Sequence, residues 1–531
     1  MRRKKTLFLG VDSSTQSLKG IMIDTGKQAV AEALVNFDTD MPEYKTSGGV
    51  HRHKDGLTVT SPPMMWVKAL DLLLERLQSA GADFSSIAAL SGSGQQHGTV
   101  YLKEGTEKKL SALFPQKPLH GQLEEIFAVH DSPVWMDSST SAECVSLEEH
   151  MGGAQALAVI TGSRAYERFS GNQIAKIFRT NPKGYGATER IALVSSFLAS
   201  LFLCRYAPID FSDGSGMNLL NIRSRRWEEK ALKHTAPGLA GRLGEPRPSF
   251  EAAGSIGAYF VERYGFDPSC LVVNFSGDNP CSLAGLRLEE AGDAAISMGT
   301  SDTLFASLSN PRPSATEGHI FVSPIDPSGS MAMVCYKNGS LTREDIRDRC
   351  APGGWSEFSA MLERTEPGNG GKIGLYFREP EITPPVLRPQ YRRFGADNRE
   401  TNAFMPEEDV RAVVEGQFLS MKLHGGNIGI EPRRILATGG GSQNPAILKV
   451  MSQVFGVPVF VGDVPDSAAV GAAYRALHGY ECWRQGRFTN FSEIIAGAPP
   501  FRKAFDEREH PVYREMLLRY ERIEKGIQRG P

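Results

Sequence analysis

Cysteine is scarce and unorganised in this chain: seven residues among 531, scattered from Cys144 to Cys482 with no CxxC pair. No His/Cys grouping has the spacing of a zinc site, so a structural metal and a disulfide scaffold are both excluded, and reduced thiols in the cytoplasm are expected. A charge excess of either sign is missing as well. Lys and Arg total 59 against 61 Asp and Glu, a net charge of -2, so no chain-wide basic field exists to hold a nucleic acid backbone. Long apolar runs are absent too. The longest, Ile191 to Leu203, carries serines and lies between Arg190 and Arg205. It falls short of the ~20 residues a bilayer needs and reads as a buried helix. The basic start Arg2-Arg3-Lys4-Lys5 leads into Leu7 to Val11, a run too brief for a signal peptide, so no export signal and no membrane partner are expected.

What is present fits an α/β protein of two domains. A length of 531 residues exceeds what one hydrophobic core organises, and 40% hydrophobic with 23% charged residues is ordinary globular composition. Strand-like runs such as Val272 to Phe275 and Ile435 to Thr438 alternate with amphipathic stretches of helical length such as Pro62 to Gln78. One motif occurs twice: an apolar strand, a tight turn rich in hydroxyls, and a second apolar strand. The first copy is Leu7 to Asp24, with Asp12-Ser13-Ser14-Thr15-Gln16 at its turn; the second is Ala294 to Leu308, with Gly299-Thr300-Ser301-Asp302. A repeat at half the chain length predicts two domains of related design, each opening with a hairpin. The crossover is expected at Leu286 to Gly292, giving domains 1–288 and 289–531. The Gly/Pro-rich stretches Glu366 to Gly374 and Ile382 to Gly395 read as exposed loops.

Four places could carry chemistry. Turn amides and Ser/Thr hydroxyls donate to phosphate oxygens without bulk, so both hairpins qualify as phosphate sites without a P-loop lysine. A bare carboxylate would repel polyphosphate, so Asp12 is expected to hold Mg2+ through water; the rival is a hydrophilic turn with an Asx cap. Arg434 to Pro445 runs from a strand through three glycines to a helix, with Asn444 as N-cap and Pro445 at the first helical position. Glycines there let a flat ligand lie on the backbone. The dinucleotide fingerprint does not fit, because it needs glycine where Asn444 stands and an acid near Val461. Cys270 to Pro280 repeats the strand, glycine and helix pattern. Asn279 is the expected N-cap, leaving Asp278 at a strand's carboxyl end, where open α/β sheets bind ligands and a carboxylate can take a proton from a hydroxyl. Read alone, the segment is an ordinary capping sequence.

Taken together these stretches resemble the FGGY carbohydrate kinases, and among them the xylulose kinases of animals. The likeness runs from Val11-Asp-Ser-Ser-Thr-Gln16 to Ala468-Ala-Val-Gly-Ala-Ala-Tyr474. Its most specific parts are Gly94-Gln-Gln-His97, Ser163 to Asn172, Asp213-Gly-Ser-Gly-Met-Asn-Leu219, Gly277-Asp-Asn-Pro280, Gly299-Thr-Ser-Asp302 and Ala437-Thr-Gly-Gly-Gly441. The resemblance implies two actin-like ATPase (ribonuclease H-like) domains with a central interdomain cleft, ATP and Mg2+, and phosphorylation of D-xylulose at its 5-hydroxyl. By it, His97, Arg168, Asp278 and Asn279 hold the sugar, with Asp278 as general base. Ser13, Thr15, Gln16, Gly299, Thr300 and Ser301 meet the phosphates; Gly440, Gly441 and Asn444 meet the adenosine, and Trp355 packs near the base. Sugar and ATP are the implied partners, with no obligate protein partner. Lys176-Ile-Phe-Arg179 departs from the wider family, which has tryptophan in place of Arg179. This sets the chain apart from the glycerol and bacterial branches. Another small ketose or polyol such as ribulose, and an actin-like nucleotide switch, remain as alternatives.

Overall fold

Seven strands in the first half build a sheet whose central strand is apolar on both faces, as a strand covered by helices on each side must be. The computed structural model describes residues 5–462, 464, 466–506, 508 and 510–528; Arg2, Arg3 and Lys4 of the basic start lie outside them. The strands are β1 (Leu7–Ser13), β2 (Ser17–Asp24), β3 (Ala29–Asn36), β4 (Ile87–Gly94), β5 (Ala252–Ser255), β6 (Leu271–Val273) and β7 (Ser276–Gly277). They lie in the order β5-β6-β4-β1-β2-β3, with β7 also paired to β4. The pairs β6–β4 and β4–β1 are parallel, and the others along the path are antiparallel.

The second half repeats this six-strand path and adds one edge strand, His319–Val322, beside Ser330–Tyr336. Its strands are β8 (Asp293–Met298), β9 (Asp302–Leu308), β10 (Ser330–Tyr336), β11 (Arg434–Thr438), β12 (Val459–Val461) and β13 (Arg502–Phe505). They follow one another as β13-β12-β11-β8-β9-β10, with β12–β11 and β11–β8 parallel and the rest antiparallel. The repeat read from the two hairpins therefore extends across each sheet.

The chain divides into two compact units, Met1–Glu289 with Phe321–Gly329 and Pro465–Pro499, and Glu290–Ile320 with Ser330–Val464 and Pro500–Pro531. A division into continuous halves at 288 omits the two returns to the first unit. The physical reason for the larger return is a set of close backbone contacts. A Cβ on Gly10 of β1 would lie 2.2 Å from Ala469 O, and one on Gly471 would lie 1.8 Å from Cys281 O. The helix Ser467–Gln485 thus lies directly on β1 and on the helix Asp278–Gly285, an approach only glycine allows.

Three further expectations change. Ile191 to Leu203 is not one helix: Thr188–Leu193 is a strand, and the buried helix begins at Val194. The first three residues of the apolar run, Ile191 to Leu193, find cross-strand partners in Tyr101, Val100 and Thr99 before the chain turns into the helix. The two Gly/Pro-rich stretches are not plain exposed loops. The first ends in the start of Ile373–Phe377, wholly buried, and the second holds Gln390–Phe394; the two segments pair residue by residue in a three-stranded sheet. The helix expected from Pro280 starts at Asp278, with Gly277 as its N-cap in extended conformation. Pro280 falls at the third helical position, whose N–H has no partner inside a helix, so it is tolerated there and Asn279 does not cap.

Candidate active site

The first unit gathers its polar residues at the carboxyl ends of three neighbouring parallel strands. Asp12 of β1 pairs in register with Ser93 of β4, and Ser276 of β7 pairs with the same Ser93. One step further along lie Ser13, Gly94 and Gly277, followed by Gln95, Gln96 and His97 on one strand end and Asp278 on another. Sheet register alone thus brings Asp12, His97 and Asp278 to one rim, the place where open α/β sheets bind ligands.

Asp278 is partly exposed. Its Oδ1 accepts from Asn279 N at 2.8 Å and Asn279 Nδ2 at 3.2 Å. Burial pushes its carboxyl up to about 6, and the backbone amides of Asn279 and Gln96 hold it from going higher. The group is an anion at neutral pH and still basic enough to take a proton. Asn279 Nδ2 also donates to Gln96 Oε1 at 2.9 Å.

His97 is buried with a positive φ of 73°. Its ring stacks on Phe169, centroids 4.4 Å apart, and Nδ1 lies 2.8 Å from Gly216 O. A carbonyl only accepts, so Nδ1 carries the hydrogen and Nε2 is left as an acceptor. Burial, and then the Arg168 charge, push the imidazole down to about 3, so it is neutral. The Arg168 guanidinium lies over Tyr166, 5.1 Å from the ring centroid, and 5.9 Å from that of Phe169. His97 and Arg168 therefore share the Phe169 ring as their support. The Asp213 to Leu219 segment backs this pocket: Asn218 Nδ2 donates to Thr161 Oγ1 and to the carbonyls of Ser163 and Arg164.

The Lys176/Arg179 departure has a structural account. Both belong to the helix Ser170–Thr180. Arg179 donates through Nη2 and Nε to Glu143 Oε1 at 2.7 and 2.9 Å, tying this helix to Ser141–Met151. Lys176 bonds Ser139 Oγ and lies 3.8 Å from the buried Asp137. The arginine staples two helices where a tryptophan would pack.

Around the first turn, Asp12 Oδ1 accepts from Ser93 Oγ at 2.5 Å. Burial raises the Asp12 carboxyl to about 7, offset by Ser93 and reinforced by Asp278 and Asp466. Lys19, directly across the hairpin, bonds Asp466 instead. Ser13 Oγ is buried without a partner, Thr15 Oγ1 accepts from Trp135 Nε1 at 2.8 Å, and Gln16 is exposed. Among the described residues no three His, Cys, Asp or Glu side chains cluster to hold a metal directly. A partly exposed carboxyl whose ionisation is disfavoured does suit a cation held at one remove through water.

The second unit brings Gly440, Gly441, Asn444 and Trp355 to one cavity of about 520 Å³, which Ser340, Arg343, Ser359 and Ile447 also line. Asn444 caps the helix Pro445–Phe455 by accepting from Ala446 N and Ile447 N, as expected, and its Nδ2 donates to Ser359 Oγ at 2.9 Å. Trp355 is 38% exposed in the first turn of the helix Gly354–Arg364, with the Arg347 guanidinium 4.7 Å from its ring. Gly299, Thr300 and Ser301 do not line the cavity. They adjoin it through Ser340, whose N–H donates to Gly299 O at 2.9 Å, and the Thr300 and Ser301 side chains are exposed. Asp302 is fully buried and takes a bidentate pair from Arg343 at 2.6 and 3.0 Å. Arg343 also donates to Gln417 Oε1 and Ser340 Oγ, fixing the turn to the cavity wall.

Sequence reasoning passed over Ser93, Trp135, Asp213 as a buried acid, and Arg343. For Ser93, Trp135 and Arg343 the partners Asp12, Thr15 and Asp302 stand far off along the chain, and of the four only Asp213 lay in a motif read from the sequence.

This doubled sheet, each copy with a hydroxyl-bearing turn, is the two-domain sugar kinase fold. A crystal structure of a "xyloylose kinase" from Brucella ovis superimposes with a TM-score of 0.79 at 23% identity, over 98% of this chain and 99% of that one. Residues 128–285 match the N-terminal domain and 294–480 the C-terminal domain of the FGGY family of carbohydrate kinases, and the chain belongs to that family. Among curated relatives, the xylulose kinase of Rattus norvegicus is 53% identical over 540 residues, covering 100% of this chain and 99% of the relative. That of Mus musculus is 52% identical over 533 residues, covering 99% and 95%.

Proposed function

We propose that this chain transfers the γ-phosphoryl group of ATP to the 5-hydroxyl of D-xylulose, giving D-xylulose 5-phosphate and ADP. The reading is supported by two relatives named xylulose kinase at more than half identity along the full chain. The observation that carries the chemistry is Asp278: a carboxylate at the mouth of parallel strands, on the same rim as the neutral His97, with an affinity for protons near 6.

Arg168 and Asn279 donate to sugar oxygens, and His97 Nε2 accepts from a sugar hydroxyl. Asp278 takes the proton of the attacking 5-hydroxyl, a contribution of ~10²–10⁴-fold, while the remaining rate comes from positioning and charge stabilisation. Gly440, Gly441 and Asn444 receive the adenosine, and Trp355 the base, in the 520 Å³ cavity. The amides and hydroxyls of Ser13, Thr15, Gln16 and of Gly299, Thr300 and Ser301 grip the phosphates. Asp12 would hold Mg2+ through water, and the ion would neutralise charge on the nucleotide phosphates. The enzyme works in the cytoplasm, in keeping with seven free cysteines, and needs no protein partner.

The test is ADP release from purified protein across D- and L-ketopentoses, ribulose included. D-Xylulose is expected to give the highest kcat/KM. Asp278→Asn is expected to keep sugar affinity within about tenfold and lose nearly all turnover. A variant retaining a third of the wild-type kcat, or ADP release indifferent to sugar, sinks the reading.

A further inference from the structure

Beneath Asp278 lies a second carboxyl group that the proposed reaction leaves unused. Asp213, in the helix Phe211–Gly214, is 2% exposed. Its Oδ2 is 2.5 Å from Ser195 Oγ and its backbone N–H donates to Asp210 Oδ1 at 2.9 Å. Its Oδ1 lies against Gly277, 2.9 Å from where a Cβ would stand, and Gln96 Cγ is 2.4 Å from the same point. Asp213 Oδ1 and Gln96 Nε2 are both buried without a hydrogen bond of good geometry, yet they attract one another. Gln96 is the junction of the site. Its Oε1 accepts from Asn279 Nδ2, its backbone N–H steadies the Asp278 carboxylate, and the next residue is His97.

The charges around Asp213 do not balance if it is ionised. Asp210 stands beside its own helix, Asp278 on the helix after β7, and Arg475 of Ser467–Gln485 lies 3.8 Å from Asp210 Oδ2. One guanidinium thus serves two buried acids, and it is placed on Asp210. Ser195 and Gln96, the remaining polar neighbours, are neutral. Burial first, and then the Asp210 charge, hold the Asp213 carboxyl well above the usual carboxylate range. A second unpaired anion there is strongly disfavoured.

We infer that Asp213 is a positioning residue for Asp278 and Asn279, acting through Gln96 as an uncharged acid whose proton sits in the contact with Ser195. Its Oδ1 stays free to accept from Gln96 Nε2, which orients the amide so that Oε1 faces Asn279. A neutral Asp213 also spares Asp278 a repulsive neighbour while that group must remain an anion. The inference rests on the reading of Asp278 as the base.

Two variants test it. Asp213→Asn keeps shape, acceptor and donor and loses only the capacity to ionise; Asp213→Leu keeps little but volume. For Asp213→Asn, kcat is expected within about threefold of wild type, with the acid limb of kcat/KM for D-xylulose unmoved to within ~0.3 pH unit. For Asp213→Leu, kcat is expected to fall by ~30-fold or more with KM for ATP nearly unchanged. Should Asp213→Leu fail to fold, the position of the limb in Asp213→Asn decides alone. A limb displaced downward by about one pH unit or more in Asp213→Asn means that Asp213 was an anion repelling Asp278, and overturns the inference. So does an Asp213→Leu enzyme with over half the wild-type kcat. An active Asp278→Asn removes the reading of the base and this inference with it; an inactive one beside a displaced limb removes this inference only.

Discussion

The turn after β1 and the turn before β9 are built alike, yet their aspartates have opposite fates. Asp302 is fully buried and gripped at both oxygens by Arg343. Asp12 is partly exposed, held by a single serine hydroxyl, and the lysine across the hairpin is turned to Asp466. The sheets around them match in order and sense through every pairing from β5 to β3 and from β13 to β10. Backbone plan is therefore shared, and side-chain partners decide the use. One acid is consumed in holding a turn; the other keeps only a serine hydroxyl as its hydrogen-bond partner.

Removing the grip on Asp302 should have the largest effect. Arg343→Met leaves a buried carboxylate unpaired, and denaturant unfolding is expected to show ~3–5 kcal/mol lost, most of it restored by adding Asp302→Leu in the same chain. A loss under about 1 kcal/mol would mean that Asp302 is not structural and the contrast with Asp12 is false.

Asp12→Asn should do the reverse, leaving the fold intact and harming turnover. A water-mediated metal contact is expected to be worth ~10–100-fold in kcat, with a matching rise in the Mg2+ needed for half-maximal rate and little change in KM for sugar. Unchanged Mg2+ dependence would place Asp12 with Asp302 as a structural acid.

Much of this contrast was legible from residue order, and the illegible parts share a cause. The hairpins could be read because Leu7 to Val11 and Ala294 to Met298 are apolar runs ending in hydroxyl-rich turns, a purely local signal. The Asn444-Pro445 helix start was legible for the same reason. Asn279-Pro280 looks identical in sequence, but there β7 delivers Gly277 into the capping conformation two residues earlier. The likeness picked out Ala468 to Tyr474 without saying which sheet its helix covers, since that depends on Gly10, Gly285 and Gly471 meeting other backbones. Arg343, Gln96 and Asp213 act through partners that only the folded chain brings near. The roles of His97, Arg168 and Trp355 came from family likeness; their geometry, including the neutral His97 tautomer, did not.

The subtlest expectation concerns pH and stability. The Asp12 carboxyl is raised from 3.8 to about 7 in the folded chain, chiefly by burial. Folding therefore favours the protonated form: below about 4 the group costs nothing, and as pH rises from there through 7 the folded state loses stability relative to the unfolded one, then levels off. Asp12→Asn cannot ionise, so it should escape this loss. As pH rises from 5 to 8 the melting temperature of the variant should climb relative to wild type, by ~1 °C for each kcal/mol that the ionised group costs a chain of this size. A difference that stays constant over that range would show that Ser93 and solvent already satisfy the anion, and that the openness of Asp12 carries no cost in stability. A variant more stable yet less active would identify the first turn as the place where the repeat gives up stability for chemistry.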